Sequence, residues 1–139
     1  MGVHIHVAGL RFIGRFEQQA PVSCAWLRSR LPLQGGVSQA RWSGEAAWYP
    51  LGTEVRLDPE NTLSQPKPGQ ILLYAGAESE PELLFPYGFC KFAWKGGSLS
   101  GNHIITLLEG LDDLRALGES VRFAGTQPFR ITEEPSVPR

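Results

Sequence analysis

The chain has 139 residues, 42% of them hydrophobic and 19% charged, with a formal net charge of −1. These values fit one water-soluble domain able to bury a full core. They leave no basic excess to neutralise the phosphates of a nucleic acid, and no apolar run approaches the roughly 20 residues needed to cross a bilayer as a helix.

Residues 3–7 alternate valine and isoleucine with histidine and read as a strand. Ala8-Gly9 turns the chain into a second strand over 10–16. Pro21 opens a helix, in which Ala20, Cys24, Leu27 and Leu31 form one apolar stripe that ends at Pro32. Gly35-Gly36 leads into a long strand over 38–49, which contains ARWSGEAAW. Residues 53–57 read as a short strand and 59–69 as a loop. Ile71-Leu72-Leu73-Tyr74 is a buried strand, and residues 82–85 form another that stops at a Pro86-Tyr87-Gly88 turn. Gly96-Gly97 turns again, and 103–109 is a strong strand. Leu111, Leu114 and Leu117 mark a short helix, 119–131 a last strand, and 133–139 a frayed tail beyond a single domain over 1–132. About eight short strands and two distant helices do not make a doubly wound sheet. They predict a mainly β fold, a closed barrel with the helices at its ends.

Three motifs stand out in order: ARWSGEA (40–46), FPYG (85–88) and GNH (101–103). With them the chain resembles a family of small bacterial cyclophilin-like proteins of unassigned function, and more distantly the cyclophilins. APVSCAWLRSRLP after a strand pair resembles the cyclophilin start, and SGNHIITLLEGLDDLRALGE its late segment. The resemblance implies a closed cyclophilin-like β-barrel with its binding groove on the outside. Set against the cyclophilin pattern, SLSGNH places Leu99 and His103 on site positions, with Arg41 on the arginine's strand. Ser98 stands where cyclophilins carry a tryptophan, which counts against prolyl isomerase activity.

On one strand Arg41, Ser43 and Glu45 would share a face, with Trp42, Ala46 and Trp48 filling the barrel interior behind them. The polar row is then either solvated surface or the floor of a groove. In the second reading Arg41 pairs an anion, Ser43 hydrogen-bonds it and Glu45 acts as base. His103 serves as acid or base, and Tyr87, Asn102 and Leu99 complete the binding site. Gly44 marks a bulge or a close ligand approach. His4 and His6 share a strand face without a third ligand, and no glycine loop has the context of a phosphate site, so neither metal nor cofactor is expected. Cys24 and Cys90 read as free thiols. The expected function is binding of a small carboxylate-bearing ligand, with or without a reaction. The alternatives are a proline-peptide isomerase and a homo-oligomeric assembly subunit whose interface is the aromatic segment 85–94. The location is expected to be cytoplasmic, and the partner a small molecule rather than nucleic acid or membrane.

Overall fold

A computed structural model describes residues 2–134. Eight antiparallel strands close into a barrel. They are β1 (Gly2–Val7), β2 (Leu10–Phe16), β3 (Leu33–Gln39), β4 (Gly44–Pro50), β6 (Gln70–Tyr74), β7 (Glu82–Cys90), β10 (Gly101–Glu109) and β11 (Gln127–Glu134). The order is β2–β1–β11–β3–β4–β7–β6–β10, and β10 pairs back onto β2 to close the ring. A short β5 (Thr62–Leu63) adds to the start of β10, and β8 (Ala93–Trp94) with β9 (Gly97–Ser98) forms a separate small ribbon. Two helices, α1 (Pro21–Arg28) and α2 (Leu114–Phe123), complete the fold.

The interior follows from alternation. Val3, Ile5 and Val7 of β1, Phe12 of β2, Val37 of β3 and Ile131 of β11 all point into one buried cluster. Helix α1 adds Cys24 and Leu27 to it, and α2 adds Leu114, Leu117 and Val121. The stripe expected on α1 is therefore the face it buries. No side chain fits at Gly118, because a Cβ there would collide with the Tyr87 ring.

A second cluster lies on the outer face of β4, β6 and β7. It joins Ala46, Leu72, Tyr74, Leu84, Cys90, Phe92 and Leu99, with Trp48 and Trp94 packed on it. Neighbouring residues on the same strands, Ala47, Leu73 and Leu83, face the interior instead. Burial on both faces explains the unbroken apolar runs at 71–74 and 83–85.

Four expectations change. The strand expected over 38–49 is two strands, because residues 40–43 turn between β3 and β4. Ala40 N–H donates to Ala46 O at 2.9 Å, and Gly44 takes φ +92°, a left-handed conformation suited to glycine. Second, β7 runs straight through Pro86-Tyr87-Gly88. Pro86 is tolerated because β6 pairs only with the Glu82–Leu84 end and the β4 ladder shifts register there. Third, 119–123 belongs to α2, whose Leu114, Leu117, Gly118 and Val121 sit on one buried face. Fourth, residues 53–57 form no strand, while β5 lies in the stretch read as loop. Residues 133 and 134, expected in a frayed tail, still pair in β11, Glu134 with Gly2; 135–139 lie outside the described residues.

Candidate functional site

The β3–β4 turn, the 79–82 segment and the ribbon around β8 enclose a cleft of ≈ 220 Å³. Its walls include Arg41, Trp42, Trp48, Trp94, Glu80 and Glu82. Three of the chain's four tryptophans meet here. Trp48 and Trp94 rest on the outer cluster, and Trp42 is 53% exposed. The expectation that Trp42, Ala46 and Trp48 fill the barrel interior is thus reversed: Trp42 stands in the turn and Ala46 and Trp48 on the outer face of β4, while Ala47 and Tyr49 turn in.

The turn carrying Arg41 is held from both sides. Ser43 is buried; its Oγ donates to Ala93 O at 3.2 Å and accepts from Ala93 N–H at 3.1 Å. Lys91 N–H donates to Ser43 O at 3.0 Å. On the other side Gln39 Nε2 donates to Gly44 O at 2.7 Å, and Gln39 Oε1 accepts the Tyr87 hydroxyl at 2.5 Å. The β4–β7 ladder shifts register beside Gly44, with the extra residues on β7, and the backbone closing on Gly44 is Phe89 O, 2.9 Å from where a Cβ would stand. Arg41 itself is exposed, its guanidinium 5.6 Å from the Trp42 ring centre.

Glu82 is the residue that sequence reasoning missed. It opens β7 with its side chain on the outer face, and only 8% of it is exposed. Burial, with the charge of Glu80 beside it, pushes its carboxyl up to about 8. The sequence does hold a signal: a single carboxylate begins the apolar run Leu83-Leu84-Phe85, where a solvated glutamate has little reason to sit.

The other candidates do not line this cleft. Arg41, Ser43 and Glu45 are not a row on one strand. Glu45 Oε1 accepts Phe89 N–H at 2.9 Å, beyond the bulge. Tyr87 sits inside the barrel and not in a turn, and burial raises its phenol. Leu99 packs in the outer cluster. Asn102 ties α1 to the 58–60 loop: its Nδ2 donates to Ser23 Oγ at 2.8 Å and to Asp58 O at 3.1 Å, and its Oδ1 accepts Glu60 N–H at 3.1 Å.

His103 is buried beside Glu17 and Thr106. Thr106 Oγ1 donates to Glu17 Oε2 at 2.9 Å, so His103 Nε2, 2.9 Å from Thr106 Oγ1 and 3.2 Å from Ile105 O, is the donor and carries the proton. Burial holds this imidazole below its ordinary range, with Glu17 partly opposing. Of the aromatics at 85–94, Phe85 and Tyr87 serve the inner cluster and Phe92 the outer one, while Phe89 is 70% exposed. Cys24 and Cys90 are free and buried, each thiol pushed up to about 11 chiefly by burial. Among the described residues, no group of three His, Cys, Asp or Glu gathers to hold a metal ion, and no helix is long and apolar enough to span a membrane.

A family model described as a protein of unknown function, DUF3830, matches residues 3–133. The chain belongs to the DUF3830 family. No curated protein matches it. Among solved structures, this DUF3830 chain is similar to McbB in complex with tryptophan, at 14% identity and a TM-score of 0.71. The match covers 99% of the DUF3830 chain but 46% of the McbB chain, so the likeness is one of fold over half of that protein.

Proposed function

We propose that the outer cleft binds a small organic acid. The Arg41 guanidinium pairs the ligand's carboxylate, and Trp42, Trp48 and Trp94 cover its apolar body. The observation that carries this reading is the convergence of one arginine and three indole rings on a single cleft. A planar, permanently charged fork suits a carboxylate, and aromatic walls set among convergent polar groups suit a small ligand. Ser43 and Tyr87 then serve the site through the backbone they anchor rather than by touching ligand. McbB was solved with tryptophan, an aromatic acid of a size suited to such a cleft, and this sets the first probe.

The test is calorimetric titration of the protein with indole-3-propionate. Arg41→Ala should weaken binding by about tenfold or more with an unchanged melting temperature, because the side chain is exposed. Equal affinity in that variant would remove Arg41 from the site and the reading with it.

A further inference from the structure

The carboxylate reading leaves one side of the cleft without a task. Glu82 is more than nine-tenths buried and lines the cleft; among the described residues no hydrogen bond or ion pair reaches its carboxyl, whose oxygens keep contact with solvent through the cleft. Such a group is costly to keep ionised unless a cation meets it. Glu80 adds a second carboxylate to the wall. The same cleft presents three indole rings, whose faces attract organic cations. Arg41 stands in the turn between β3 and β4, while Glu80 and Glu82 belong to the segment entering β7. The lining thus offers a cationic and an acidic partner from separate elements.

We propose that the ligand is zwitterionic, an amino acid with an apolar side chain, whose ammonium group is received by Glu82 against the indole walls while Arg41 takes its carboxylate. This rests on the reading of Arg41 given above. Its consequence is a proton balance. Near neutral pH the unliganded Glu82 carboxyl holds its proton, since burial and Glu80 push it up to about 8. The incoming ammonium favours the carboxylate, so Glu82 releases its proton to solvent and an ion pair remains in the cleft. The titratable groups around Glu82 are Glu80, Tyr74 of β6, which pairs with it across the ladder, and Cys90 farther along β7, while Arg41 lines the same cleft. The Cys90 thiol, pushed up to about 11, does not titrate in this window.

Three matched probes separate the two claims: indole-3-propionate (acid only), tryptamine (amine only) and tryptophan (both). Each is titrated at pH 7 in two buffers of different ionisation enthalpy, into the parent protein, Arg41→Ala and Glu82→Gln. Tryptophan should bind at least about tenfold tighter than indole-3-propionate and release up to about one proton. Glu82→Gln should remove both the release and the tryptamine binding, while keeping Arg41-dependent binding of the acid. If tryptophan binds no tighter than the acid and releases no proton, the amino-acid inference fails and the acid reading stands. Tryptamine binding that depends on Glu82, without any binding of the acid, would sustain the amine site and overturn the Arg41 reading. Silence from all three probes overturns both.

Discussion

The two faces of β4, β6 and β7 carry similar residues to different ends. Inward, Ala47, Ile71, Leu73, Leu83, Phe85 and Tyr87 join a cluster fed by every barrel strand and lidded by both helices. Outward, Ala46, Leu72, Tyr74, Leu84 and Cys90 are covered by little more than the 91–99 segment. That cover is attached by a few hydrogen bonds: Ser43 to Ala93, Phe92 N–H to Ser64 O at 2.8 Å, and Ser64 Oγ to Leu99 O at 2.8 Å. The inner face ends in packed apolar side chains, the outer face in an open cleft with an unpaired carboxyl. A second hydrophobic layer on the outside of a barrel can therefore stabilise little and still matter, because it dries and shapes a site that the packed interior has no room for.

The sharpest test of this contrast is truncation on the inner side. Phe12→Ala, in the inner cluster and edge-to-face with Phe85, should cost about 3–5 kcal/mol in denaturant unfolding and disturb the whole barrel. The pH profile of stability comes next. Glu82 holds its proton to about 8 when folded but to about 4.5 when unfolded. The unfolded chain therefore binds fewer protons, and stability falls as pH rises between those values. Glu82→Gln should remove that fall, which amounts to about 1–4 kcal/mol between pH 4 and 9. His103 works in the opposite sense. Its folded pKa is depressed, so the unfolded chain takes the proton first as pH drops below about 6.5, and stability is lost on the acid side. His103→Gln should flatten that limb.

Smaller effects mark the cover. Ser43→Ala leaves Ala93 N–H without its partner and should cost about 1–2 kcal/mol. Hydrogen exchange should show the 91–99 amides opening ahead of β1 and β11; uniform opening would mean that the outer layer is part of the main cooperative unit. At the bottom of the scale, Arg115→Ala should change stability by about 0–0.5 kcal/mol, because its pair with Glu119 at 3.4 Å is exposed.

The barrel is legible from the chain because Val3-His4-Ile5-His6-Val7 carries the strand period in its own side chains, and the apolar run at 71–74 is short and bounded by glycines at 69 and 76, as a strand buried on both faces is. The site was half legible. Arg41 and Ser43 were found through ARWSGE, but their geometry was misread: the alternation of Ala40, Trp42, Gly44, Ala46 and Trp48 continues through a turn, and periodicity does not register a reversal that the Ser43 and Gln39 side chains impose from afar. Trp42 and Trp48 read as inward in the sequence because large apolar groups belong in a core, which holds only where one face is covered. Glu82 stays hidden in the sequence because its burial comes from an outer cleft that Trp48 and Trp94 help to line, and neither lies near it along the chain. His103 and Asn102 were singled out by GNH, yet their bonds to Thr106, Ser23 and Asp58 hold loops and helix against β10.

One feature of the strand order bears on assembly in time. β11 lies between β1 and β3, while β10 closes on β2. A chain emerging from the ribosome can form the β1–β2 hairpin at once, but the seam beside β1 stays open until residues 127–134 appear. Until then β1 and β3 each present an unpaired edge, the kind that templates association. Folding should accordingly be slow, in the millisecond-to-second range expected of barrels built from distant pairings. A peptide of the β11 sequence, added in trans to a chain ending at residue 126, should compete for that seam.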